Sequence, residues 1–160
     1  MIKKLIRVVL LVASVVGSSL AFAVREEAVF ELSVSIPTSE FYVIPVNPDW
    51  IGREQVLGWN VVTSDLSPLR ENFDVKNSSG GITARLESQP YLSNGNDDIQ
   101  LKVMFNTVEL TLSDTVVISA AEAGVGKRVA LEIAAIKPVT DYEPGDYYGS
   151  VQVLFEAVAP

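Results

Sequence analysis

The feature that most constrains this chain is a two-residue apolar alternation that recurs along most of its length. Ile82, Ala84 and Leu86 alternate with Thr83, Arg85 and Glu87. Ile99, Leu101, Val103 and Phe105 alternate with Gln100, Lys102, Met104 and Asn106, and Val129, Leu131 and Ile133 form another such run. Successive side chains of a strand point to opposite faces, so each run predicts a strand with one buried face. Long helical periodicity is absent after residue 23. Parallel pairing would need crossover helices, so the strands are expected to be antiparallel.

Turn residues divide the runs at short intervals. Phe41 to Val46 ends before Pro48, Val56 to Thr63 precedes Ser67-Pro68, and Phe73 to Lys76 leads into Asn77-Ser78-Ser79-Gly80-Gly81. Pro90 and Asn94-Gly95 close the next unit, and a hairpin is expected at Asn106-Thr107 before Val108, Leu110 and Leu112. Asp114 to Gly124 is ambiguous between a strand at Val116-Val117-Ile118 and a helical turn at Ala120-Ala121-Glu122-Ala123. The last strand is expected over Tyr147 to Val158, with Val151, Val153 and Phe155 on one face. Eight or nine short strands at this spacing predict an all-β, immunoglobulin-like antiparallel sandwich.

The first residues predict export. Lys3, Lys4 and Arg7 precede an apolar run, and Ala21-Phe22-Ala23 has the A-x-A form of a signal-peptide cleavage site before Val24. The uninterrupted apolar run from Val8 is short for a membrane span and no basic stop signal follows it. Residues 1–23 are therefore expected to be a signal peptide, leaving 137 residues for one domain with one core. Three of the 12 basic residues lie in that segment, so residues 24–160 hold 9 basic against 20 acidic residues, net −11. Such a charge excludes nucleic acid and anionic lipid as electrostatic partners.

Catalytic chemistry has little to work with. The chain has no histidine and no cysteine, which excludes histidine-based triads, thiol nucleophiles, and zinc sites built on either residue. It also leaves stability to packing and strand pairing. The carboxylate pairs have simpler explanations: Asp97-Asp98 stands beside the Asn94-Gly95 turn, and Glu26-Glu27 in an N-terminal tail. Gly124-Val125-Gly126-Lys127 imitates a phosphate loop, but Ala121 and Arg128 occupy positions that need Gly and Ser or Thr. Asn94 to Asp98 imitates a calcium loop without its spacing or its distal glutamate, and reads as a hairpin turn. No enzyme activity, metal or cofactor is expected. Among the aromatic residues that could stack on a sugar, Trp59 is expected in the core and Trp50 in an exposed loop, with Tyr142, Tyr147 and Tyr148 also available.

The stretch VREEAVFELSVSIP would become the free N-terminus after cleavage, yet Phe30, Leu32, Val34 and Ile36 alternate with Glu31, Ser33 and Ser35. Termini are ordinarily frayed and polar. Either this tail is the first strand of its own sandwich, as in a monomeric secreted binding module for carbohydrate or protein, or it pairs with another molecule. Strand addition to an open sheet is an established recognition mode. Four such side chains, at about 1.5–3 kcal/mol each, would supply about 6–12 kcal/mol on burial. That equals the stability of a whole domain.

Three stretches carry a family resemblance: the tail VREEAVFELSVSIP, the strand ITARLESQPYL, and the end GDYYGSVQVLFEA with its G-x-Y-x-G-x-V pattern. With these, and without cysteine, the chain resembles the major subunits of CS1-type fimbriae, the alternate chaperone–usher or α-fimbrial pilins. Phe41 to Ser67 departs from the family pattern. The resemblance implies a sandwich (residues 37–160) lacking one strand, with an apolar groove that a periplasmic chaperone fills first. At the outer-membrane usher, the N-terminal extension (residues 24–36) of the next identical subunit replaces the chaperone strand, and the head-to-tail polymer becomes a surface fimbria with a tip adhesin. Phe30, Leu32, Val34 and Ile36 would be the donor residues. Val151, Val153 and Phe155 would lie on the last strand beside the groove. Tip adhesins of the family are much longer, so the chain's length implies a shaft subunit.

Overall fold

A computed structural model describes residues 40–158. The cleavage residues Ala21, Ala23 and Val24 and the tail residues Phe30, Leu32, Val34 and Ile36 lie outside the described residues. The strands are β1 (Phe41–Pro45), β2 (Trp59–Asn60), β3 (Asp65–Leu66), β4 (Leu69–Asn77), β5 (Ile82–Leu86), β6 (Tyr91–Ser93), β7 (Asp98–Phe105), β8 (Val108–Glu109) and β9 (Thr115–Ile118). Helix α1 (Ala120–Val125), β10 (Lys127–Ala135) and β11 (Val153–Ala157) follow.

Every pairing among them is antiparallel. The larger sheet has the order β1-β4-β10-β7-β6, with β8 folded back on β7, and a second sheet has the order β11-β5-β9. The alternation places Phe73 and Val75 of β4, Val103 and Phe105 of β7, and Val129 and Leu131 of β10 in the core from one side. Ile82, Ala84 and Leu86 of β5 meet them from the other. Phe105 and Phe155 join the sheets directly, with ring centroids 4.8 Å apart. This is the expected antiparallel sandwich. Among the described residues Asn77 is the one buried polar side chain: its amide donates to the carbonyls of Gly81 at 2.7 Å and Val158 at 3.4 Å, and its Oδ1 accepts from Ser79 N at 3.1 Å.

Asn106 and Thr107 do form the β7–β8 turn, with φ of 48° and 66°. These are the left-handed values that a two-residue hairpin demands. The ambiguous segment is both things in sequence, strand β9 and then helix α1, separated by Ser119. That residue caps α1 in a reciprocal box with Glu122. Asn94 Oδ1 accepts from the backbone N–H groups of Asn96 and Asp97, which makes the Asn94 to Asp98 stretch a turn between β6 and β7.

Two strands are shorter than expected. In Val56 to Thr63 only Trp59–Asn60 pairs, with β3. Asn60 Oδ1 accepts from Val62 N and Thr63 N and bends the chain away. The run from Tyr147 begins in the wrong sheet for a single strand. Tyr148 and Ser93 exchange backbone hydrogen bonds of 2.9 and 3.0 Å, which ties it to β6. The chain then crosses over to pair with β5 from Val153.

Candidate functional site: an apolar groove beside the last strand

A groove of about 1050 Å³ opens in the sandwich. Its lining follows from strand parity. The inward positions of three strands supply the floor: Leu69 and Phe73 from β4, Leu131 and Ile133 from β10, Ile99 and Leu101 from β7. The crossing segment and β11 contribute Val151, Val153 and Phe155. The connection between β1 and β2 contributes Trp50 and Leu57. Charged groups in the lining come from two loops, Arg53 and Glu54 on one and Glu143 and Asp146 on the other. An apolar floor bounded by charged loops selects an apolar occupant and fixes its limits.

β11 borders this groove and has a strand partner, β5, on one side only among the described residues. Its other edge presents backbone donors and acceptors, the template for an added strand. Val153 and Phe155 are half-buried against the core. The structure thus brings together the three residues singled out in the last strand, all in the groove lining, although Val151 precedes β11.

An aromatic chain crosses the interior. Trp50 meets Phe73 edge-on at 5.9 Å, Phe73 meets Phe105 at 5.8 Å, and Phe105 meets Phe155. The expected placement of the tryptophans is therefore reversed. Trp50 packs against the core, whereas Trp59 is 49% exposed and stands edge-on to Tyr142 at 5.6 Å. The reason is the early end of β2, which leaves Trp59 on a projecting hairpin. Lys137 anchors that hairpin, donating to Asp65 Oδ1 at 3.0 Å and to Ser64 O at 3.2 Å. The Asp65 hydrogen bond raises the Lys137 pKa above its ordinary value. Burial, with the Asp65 charge behind it, raises that of Tyr142.

The floor residues Leu69, Phe73, Leu101, Leu131 and Ile133 were legible only as core, because periodicity reports a face and not whether that face is covered. Among the described residues, no cluster of carboxylates could hold a metal ion.

Fold and groove together define an antiparallel sandwich with an open apolar groove along a strand edge. A family model for the CS1 type fimbrial major subunit matches residues 26–156, and the chain belongs to that family. Among solved structures the chain is similar to the CooA pilin subunit from enterotoxigenic Escherichia coli, at 20% identity and a TM-score of 0.55, over 71% of this chain and 86% of that one. No curated protein sequence matches significantly.

Proposed function

We propose that this chain is the repeating structural subunit of a surface fimbria, joined head-to-tail when residues 24–36 of one copy fill the groove of the next. The observation that carries the reading is the coincidence of an apolar groove with a strand, β11, paired on one side only among the described residues, in a chain whose N-terminal sequence alternates like a further strand. Phe30, Leu32, Val34 and Ile36 are the donor residues. Their alternation suits a strand that lays one face on Leu69, Phe73 and Leu131 while its backbone pairs with β11. A contact between unlike surfaces repeats without closing and builds a fibre.

The route to the surface follows from the same chemistry. A groove open to water invites misassociation, so a periplasmic chaperone covers it until an outer-membrane usher exchanges the chaperone strand for a subunit tail. A tip adhesin ends the fibre, and the role of this subunit is structural rather than enzymatic. Exchange is driven by the better-fitting strand and consumes no nucleotide.

The test is a denaturing gel of protein purified from periplasm, unboiled against boiled, with and without residues 24–36. A ladder that collapses on boiling and requires those residues is expected. A single monomer band in every lane of folded, chaperone-free protein would refute the reading and favour a monomeric binding module.

A further inference from the structure

Exposed apolar side chains lie at opposite ends of the sandwich. At one end the β2–β3 hairpin carries Val61 and Val62 at its tip, 80% and 89% exposed. Val139 is also exposed and sits on the segment whose Lys137 anchors the hairpin. At the other end Val125, 87% exposed, closes α1 beside Gly126. Strand β10 connects the two ends, since it starts at Lys127 and stops at Ala135. Nine extended residues make that distance about 30 Å.

The chain's own length relates the two ends of different copies. β1 starts at the Val125 end of the sandwich: its Phe41 lies opposite Asn77 of β4, and Val75 of β4 pairs with Lys127. Only residues 37–40 separate Ile36 from β1. Five Cα steps span no more than about 18 Å. A copy whose Ile36 is seated in a neighbour's groove must therefore hold its own Phe41, at the Val125 end of its sandwich, within about 18 Å of that seat. Trp59 and Leu66 of the hairpin and Tyr142 beside it line the groove. The apolar hairpin is thus continuous with the surface the tail occupies.

Resting on the strand-donation reading, we infer that the β2–β3 hairpin tip is a second contact between successive subunits, packing Val61 and Val62 against the α1 end of the next copy around its Val125. This orients the tail, with Ile36 at the Trp59–Tyr142 end of the groove. Unlike apolar ends then meet along the fibre.

The chain has no cysteine, so an engineered pair reports the contact directly. The full-length Val62→Cys/Val125→Cys variant is assembled with its secretion machinery, treated with a short bifunctional maleimide, and run both unboiled and boiled. The expected result is a ladder that survives boiling, while each single variant gives only monomer after boiling. A Val62→Cys/Val116→Cys variant, whose second site is the exposed position of β9, should also give only monomer. An unboiled ladder without a boil-resistant one in the first pair overturns the hairpin contact and leaves strand donation intact. So does an equal ladder from the β9 pair, or a covalent dimer from Val62→Cys alone. Loss of the unboiled, tail-dependent ladder from the unmodified chain overturns both.

Discussion

Gly149 passes so close to the carbonyl oxygen of Tyr91 that no β-carbon could stand between them. A few residues earlier, a β-carbon on Gly145 would meet Asn94 Nδ2 at 3.0 Å. The two glycines of the G-x-Y-x-G pattern are thus the points where the crossing segment presses onto the β6–β7 hairpin. At Gly149 the obstacle is backbone, which cannot swing aside, and at Gly145 it is the end of a side chain. Gly149→Ala should destabilise the protein by about 1–3 kcal/mol, and Gly145→Ala by less. Gly52→Ala, with nothing within 4 Å, serves as a neutral reference. Urea denaturation of the three variants gives the order, and equal midpoints for Gly149→Ala and Gly52→Ala would contradict it.

Strand donation makes the two faces of the tail unequal. On that proposal, Leu32→Asp would place an unpaired carboxylate against the apolar floor, at a penalty of several kcal/mol or a forced protonation. Secreted monomer should persist while the heat-sensitive ladder disappears. Ser33→Asp, one residue along and on the opposite face, should leave the ladder unchanged. Normal fibres from Leu32→Asp would remove that residue from the donor set.

The cap of α1 carries a pH signature. Lys127 Nζ donates to Glu122 Oε1 at 2.8 Å, and Ser119 Oγ donates to Glu122 Oε2 at 2.8 Å. The Lys127 bond first, and the Ser119 bonds second, lower the Glu122 pKa from 4.5 to about 2. The unfolded chain therefore binds this proton more readily than the folded one. The contribution is present above pH 4.5 and is lost as the pH falls toward about 2. Thermal melts of Glu122→Gln should show a shallower decline than the parent across that window and converge with it at the acid end. Parallel curves would mean that the carboxylate does not report on folding.

Thr107 is a β-branched residue held at φ 66° in the β7–β8 turn. Its preceding residue, Asn106, suits its own left-handed φ of 48° and also donates from Nδ2 to Val117 O at 2.7 Å. Thr107→Gly creates the favoured Asn-Gly turn and removes about 1 kcal/mol of backbone strain. A higher melting temperature is expected, and a lower one would mean that the threonine side chain matters more than its backbone.

The sheet interior was legible where β5, β7 and β10 repeat their period, and each buries the face its alternation marks. Of β4 only Phe73 to Lys76 was legible, although the strand runs from Leu69 to Asn77. The groove was legible only at its C-terminal border, through Val151, Val153 and Phe155. Its floor was hidden, since Leu131 reads the same whether a strand of its own chain or of another covers it. Trp50 and Trp59 were exchanged because nothing in a local pattern weighs a tertiary partner such as Phe73 against an Asx turn at Asn60. The break before Val153 was invisible for a similar reason. It is made by Tyr91 and Ser93, far away in the sequence.

The border of the groove is written after its floor. Val151, Val153 and Phe155 follow every floor residue in order of synthesis, and the alternating stretch from Phe30 to Ile36 precedes them all. The groove is therefore complete only once Val153–Ala157 has paired with β5. On the strand-donation proposal, each chain would make its donor segment before its own acceptor, and the chaperone's work would begin only when β11 closes the border.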